Sequence, residues 1–340
     1  MSRRRRTLVV GIVLLLGIGV LGTTVRVPLV ALGLGPTFNT LGMVDGEPIV
    51  SIRTLPTYPT SGNLNMTTVG VIDDLTMFDA VRLWASSDHQ LAPRHTVYPP
   101  GETPQQVNEE NRRQFLDSQA NAEAAALDFL RLPTRVVVGA VPDGSPAAGL
   151  LAVGDELIEV AGRPLQSIDD LHAALADTRP GQPVSVRVRS DDAAPREVTV
   201  TLGTRPDGPQ GLLGVSPIAR PAADDEITIS LADIGGPSAG LIFALAVVDK
   251  LTPGELTGGR FIAGTGAIRS DGVVQPIRGI PFKTKAARDA GATVFLVPAE
   301  NCAEARSTTP DGLELVRVDD LADAVADLEA LRDGHSPGGC

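Results

Sequence analysis

An apolar run from Leu8 to Val25, set just behind Arg3, Arg4, Arg5 and Arg6, constrains this chain more than any other feature. It is about as long as a helix must be to span a bilayer. Basic residues ahead of a span hold the N-terminus in the cytoplasm, which predicts a single-pass cell-membrane protein with everything after Val25 outside. A cleaved signal peptide also opens on basic residues. The run is long for a signal core, however, and no small-residue cleavage site is evident behind it, which favours an uncleaved anchor. Arg26 to Gly35 reads as a short packing stalk, so residues 1–35 form a cytoplasmic start, anchor and stalk.

The rest of the 340 residues leave room for two domains. Aromatic content of only 3% implies cores of Val, Leu, Ile and Ala, and 36 Gly with 27 Pro imply many tight turns. A net charge of −12 argues against nucleic acid as a main partner, because phosphate binding needs a basic surface. Cys302 and Cys340 match neither a disulfide framework nor a CxxC clip; they can pair in an oxidising compartment or stand as unrelated thiols. His89, His95, His172 and His335 have no partner at metal-ligand spacing, so neither metal nor cofactor is expected.

Residues 36–131 carry two strand-like stretches, Ile49–Arg53 and Leu64–Val71. A proline-marked loop follows at His95–Pro104. Gln105–Leu130 then holds no Gly or Pro, and Phe115, Ala122, Ala125, Ala126, Phe129 and Leu130 predict one buried helical stripe.

Residues 132–205 change rhythm. Strands are expected at Arg135–Val141, Leu157–Val160, Val184–Val188 and Glu197–Leu202, with a helix from Ile168 that Ser167 caps. The string VVVGAVPDGSPAAGLLAVGDELIEVAGRPLQSIDDLHAAL resembles a bacterial PDZ domain, a small barrel-like β fold with helices. PDZ domains bind an extended chain end as an added strand. The resemblance places the carboxylate-binding turn near Leu132, Pro133 and Thr134, although the usual Gly-Leu-Gly-Phe string is absent. A PDZ fold serving only as a spacer is the other reading.

Residues 206–332 start with a Pro-rich connection. Ile227–Leu231 reads as a strand and Leu241–Leu251 as a helix, with Gly235-Gly236-Pro237-Ser238-Ala239-Gly240 between them. A hairpin at Phe261–Pro276, a helix at Phe282–Ala290, strands at Thr293–Val297 and Leu313–Val318 and a helix at Asp319–Leu331 follow. The tail, 333–340, is expected to be disordered.

A serine at a helix start sits where free backbone N–H groups favour an oxyanion, as acyl transfer requires. The same residues also fit a capping serine in a Gly-rich turn, or an anion loop. The Lys-Ser/Thr of a phosphate loop is missing. A serine nucleophile needs a base, and no histidine lies between Ser238 and the tail. A lysine serves only if its pKa drops from about 10.4 to near 7, which burial at a helix start favours. Lys283, just after Gly279-Ile280-Pro281-Phe282, has that position.

GGPSAG, Thr265-Gly266 and GIPFKTKAARDAGATVFLVP together resemble the proteolytic domain of Lon proteases, over Ile227–Leu331. That resemblance implies Ser238 as nucleophile, Lys283 rather than Lys285 as base, and Thr265 as a support for the lysine. Backbone N–H groups around Pro237 and Ala239 are then the oxyanion donors. Many Lon enzymes carry Asp where Gly235 stands and an acidic residue where Ala267 stands. No GxxxxGK[ST] string occurs, so an ATPase half is not expected. The order of anchor, PDZ and Lon-type domain resembles membrane-anchored PDZ–Lon proteins of Gram-positive bacteria. It implies an α+β chain that cuts unfolded or membrane-associated protein segments without ATP, and a homo-oligomeric, hexameric ring. Leu64–Val71 and Gln105–Leu130 are then the first part of the Lon-type domain, with the PDZ inserted behind them. The rival reading is an inactive PDZ/Lon-fold adaptor or assembly platform; retention of both Ser238 and Lys283 favours the enzyme.

Overall fold

A computed structural model describes residues 3–53, 55–190, 193–206, 208–221, 226–231 and 235–340, with side chains from residue 9 onward except that of 226. Helix α1 runs Arg3–Thr24, and strand β1 follows at Leu29–Asn39. Strands β2 (Val50–Arg53) and β3 (Asn63–Ile72), helix α2 (Met77–Trp84), strand β4 (His89–Pro93) and helix α3 (Pro104–Phe129) complete the first segment. The second comprises β5 (Thr134–Ala140), β6 (Glu156–Val160), α4 (Ile168–Leu175), β7 (Pro183–Arg189), β8 (Arg196–Thr201) and β9 (Ser216–Pro221). The third holds β10 (Glu226–Ile229), α5 (Gly240–Leu251), β11 (Phe261–Gly264), α6 (Ile280–Asp289), β12 (Val294–Pro298), α7 (Cys302–Thr308), β13 (Glu314–Val318) and α8 (Leu321–Arg332).

The first and third segments build one sheet, in the order β13-β12-β11-β3-β1-β4. Its seam is the parallel pair β3–β11, which joins Leu64 to Ile262 and Met66 to Gly264. Residues nearly 200 positions apart therefore share a core. Helix α5 is apolar on every side, and Leu241–Val248 are almost wholly buried, as befits a helix enclosed on all faces. It packs against α3, where Phe115 and Phe243 meet edge-to-face at 5.8 Å. Each such buried Leu, Ile or Phe contributes about 1.5–3 kcal/mol.

The stalk expected at Arg26–Gly35 is instead largely sheet, because β1 starts at Leu29. Gly35 permits this. A Cβ there would lie 2.3 Å from Thr68 Oγ1 of the neighbouring strand, so only glycine lets β1 and β3 come this close.

The second segment forms its own sheet, β8-β7-β6-β5-β9, over a separate core that includes Val136, Leu157, Val186 and Val200. Strand β9 extends this unit to Pro221, past the boundary expected at 205. Thr134 and Pro221 are direct partners in the β5–β9 ladder, so the chain enters and leaves this unit at one place. An ion pair bridges the two units, with the half-exposed Arg220 of β9 2.5 Å from the buried Glu123 of α3. Burial pushes the Glu123 carboxyl up to about 7 despite the pull of Arg220.

The C-terminal tail is tied down rather than loose. Cys302 and Cys340 form a disulfide, the Gly338 N–H donates to Asp327, and Arg317 N–H donates to the Gly338 carbonyl. Among the described residues no helix is long and apolar enough to cross a membrane. The described part of α1 is nonetheless strongly exposed, with Val9, Leu15 and Leu21 at 49%, 72% and 56%.

Candidate active site

Ser238 lies just ahead of α5. Ala239 is the residue that starts the helix, and no side chain caps it, so the serine hydroxyl is not spent on capping. The loop is held by its backbone. Gly236 N–H donates to the Asn111 carbonyl of α3, Ser118 Oγ donates to the Pro237 carbonyl, and Gly266 N–H donates to the Ser238 carbonyl.

Helix α6 delivers the lysine. It begins at Gly279, whose φ of +83° suits glycine, and where a Cβ would meet Val69 at 2.7 Å. Pro281 sits in the first turn, where its missing N–H costs nothing. Ile280, Lys283, Thr284 and Ala287 share the buried face, at the i, i+3, i+4, i+7 spacing of a helix stripe. That places an amine where a methylene would be ordinary. Lys283 is 2% exposed, and burial pushes its amine down to about 7.

Lys283 Nζ stands 3.0 Å from Ser238 Oγ and donates to the Thr67 carbonyl of β3 at 2.6 Å. A neutral amine so placed keeps a lone pair for the serine proton. The Thr67 carbonyl was not foreseen from the sequence. No side-chain pattern marks a main-chain acceptor, and only the pairing of β3 with β11 brings it here.

Three other groups of sequence-predicted residues have distinct placements. Thr265, fully buried, donates its hydroxyl to the Ser238 carbonyl at 2.9 Å, so its hydrogen bond supports the nucleophile's loop rather than the lysine. Pro237 has no N–H and cannot be an oxyanion donor; its carbonyl accepts from Ser118. The N–H groups of Ser238 and Ala239 remain candidates. Leu132, Pro133 and Thr134 lead into β5, which is paired on both sides by β6 and β9. A peptide cannot add to a strand without an open edge, and the edge strands of this sheet are β8 and β9.

Lys285, two residues on, turns away from Ser238 and forms an ion pair with Asp88, so it is not simply solvent-facing. That pair and a hydrogen bond from Ser87 hold the Asp88 carboxyl below the usual carboxylate range, the Lys285 hydrogen bond most.

Ser238 and Lys283 line a cleft of about 610 Å³ with Pro36, Met66, Val69 and Arg278. A larger cavity of about 1040 Å³ lies between α3 and the second sheet, with Glu123, Arg135 and Arg220 on its walls. Among the described residues it holds no nucleophile beside a base, so the smaller cleft is the candidate site.

Residues 105–202 match the PDZ domain family, and residues 232–329 match the Lon protease (S16) C-terminal proteolytic domain. The chain pairs a PDZ domain with a Lon-type proteolytic domain. The PDZ match opens at 105 and so takes in α3, whose buried face packs in the Lon-type core. A Lon protease of Phenylobacterium zucineum is 35% identical over 118 residues, which is 33% of this chain and 15% of that protein. Among solved structures, the PDZ domain of an SdrC-like protein from Listeria monocytogenes is similar at 22% identity, covering 24% of this chain and 85% of that one, with a TM-score of 0.23. A solution structure from Geobacillus thermodenitrificans is 29% identical, over 24% of this chain and 94% of its own, with a TM-score of 0.22.

Proposed function

We propose that this chain is an ATP-independent serine endopeptidase, with Ser238 as nucleophile and Lys283 as general base, acting on unfolded or membrane-associated protein segments. The observation that carries the reading is the 3.0 Å approach of a buried amine to the Ser238 hydroxyl. An amine pushed down to about 7 is substantially neutral at physiological pH and can take the serine proton as the hydroxyl attacks a peptide carbonyl. The lysine then returns that proton to the leaving amine. The Ser238 and Ala239 N–H groups, near the start of α5, would stabilise the oxyanion. Thr265 and Gly266 keep the loop in register.

The PDZ domain is an insertion, with Thr134 and Pro221 as its neighbouring ends. Its role is to hold a polypeptide near the cleft. Helix α1 anchors the chain with Arg3–Arg6 inside and both domains outside the cytoplasmic membrane. The Cys302–Cys340 disulfide supports that side, since such bonds persist in oxidising compartments. Homo-oligomerisation remains part of the proposal through the Lon-type domain.

The test is degradation of an unstructured protein such as casein by the full chain in detergent, without ATP, beside its Ser238→Ala variant. Cleavage by the wild type and none by the variant is expected. Absence of cleavage by the wild type would favour the adaptor reading.

A further inference from the structure

Helix α2 presents an apolar face that, apart from a contact of Phe78 with α1, no described residue covers. Met77, Phe78, Val81 and Trp84 are 45%, 45%, 58% and 73% exposed and recur at i, i+1, i+4 and i+7, while Ala80 and Leu83 face inward. The end of β3 adds Val71 and Ile72, each 43% exposed. Four large apolar side chains on an eight-residue helix oppose the usual pattern of a surface helix, which shows its polar side to water.

The position of this face relative to α1 says what covers it. The two helices touch where Gly22 meets the Phe78 ring, so closely that a Cβ at Gly22 would lie 2.5 Å from it. The connection from α1 to β1 is short and stitched to the turn before α2. Val27 N–H donates to the Leu75 carbonyl, Met77 N–H donates to the Val25 carbonyl, and Arg26 donates to the Asp74 carbonyl. No flexible stalk separates the two helices. Wherever the C-terminal end of α1 leaves the lipid, α2 is therefore held beside it, and the exposed apolar surface of α1 continues onto Phe78.

We propose that α2 is an interfacial helix whose Met77–Trp84 face lies in the headgroup–acyl boundary of the membrane that α1 spans. This rests on the anchored reading of α1. An amphipathic helix buries its apolar side about 5–10 Å into that boundary, and Trp favours the same depth because its ring is apolar and its N–H polar. The charged neighbours Arg82, Arg26 and Asp74 would meet headgroups and water. The protease would then sit on the bilayer, with Asp88, just past α2, tied to Lys285 on the helix that carries Lys283.

Trp84 is the only tryptophan, so fluorescence excited selectively at the indole reports on α2 alone. The chain would be reconstituted into phosphatidylcholine/phosphatidylglycerol vesicles, floated, and read with lipids brominated high on the acyl chain and with aqueous iodide. The expected result is co-flotation, about a two-fold loss of Trp84 emission with brominated lipid, and weak quenching by iodide. Val81→Asp should float equally well and lose most of the bromine quenching. Co-flotation with full iodide access and no bromine quenching would overturn the proposal and leave the anchor standing. Co-flotation with protection from both quenchers would overturn it in favour of a protein partner on that face. Failure to float would overturn the anchor and this proposal with it.

Discussion

The Lys283 amine of α6 and the Ser238 hydroxyl of the loop ahead of α5 come within 3.0 Å of each other, although the segment around Thr265 separates them in sequence. Among the described residues the amine has no carboxylate at this distance; its other partner is the Thr67 carbonyl. A buried lysine without a counter-charge is costly to keep protonated, and that cost makes it a base.

Removal of the nucleophile should be decisive. Ser238→Ala should lower cleavage on the order of 10³-fold or more while leaving the circular dichroism spectrum unchanged. Native-rate cleavage by the variant would exclude Ser238.

The two lysines on α6 should differ sharply. Lys283→Arg should be inactive, since a guanidinium stays charged and cannot take a proton. Lys285→Ala loses only a partly exposed, solvent-screened ion pair to Asp88 and should keep near-native activity. The wild-type rate should rise with pH, with a midpoint near 7, as Lys283 loses its proton. A rate that falls across that range would contradict a lysine base.

Stability should carry the same signature. The folded amine titrates at about 7 and the unfolded one at 10.5, so between those values the unfolded chain binds more protons. The lysine's penalty is therefore full below 7 and fades as pH rises towards 10.5. Lys283→Met should gain most over wild type at about pH 6, and lose that gain by up to about 1.4 kcal/mol per pH unit above 7. Denaturant curves with a pH-independent difference would show that the amine does not titrate in this range.

Thr265→Val separates loop support from lysine support. It removes one of two donors to the Ser238 carbonyl, with Gly266 N–H retained, so kcat should fall about ten-fold or less. The pH midpoint should stay where it is, because the Thr265 hydroxyl bonds the loop and not the amine. A shifted midpoint would restore the role that resemblance implied.

The disulfide closes a loop of 38 residues, for which chain entropy gives about 4 kcal/mol. Cys340→Ser should lower the unfolding free energy by up to that amount and expose the tail to carboxypeptidase. An unchanged denaturation midpoint would mean that the other tail contacts suffice.

Much of this site is legible in the residues. GGPSAG between a strand and an apolar helix, and a lysine in the first turn of a Gly-Ile-Pro-started helix, are local signals, because loop, cap and helix propensities act over a few residues. The PDZ string is legible for the same reason. Residues 29–39 are not: their two glycines and a proline argue against a strand, and only the close approach of Thr68 explains why glycine is required at Gly35. Helix α2 escapes sequence reading too, being short and apolar on the side that faces outward. Tertiary structure alone decides the rest. The parallel pairing of β3 with β11 brings the Thr67 carbonyl to the lysine, and burial at the meeting of α6 with that sheet moves the amine's pKa. The sequence determines which groups are available for chemistry. Their protonation and orientation depend on desolvation and distance, which exist only once distant segments have packed.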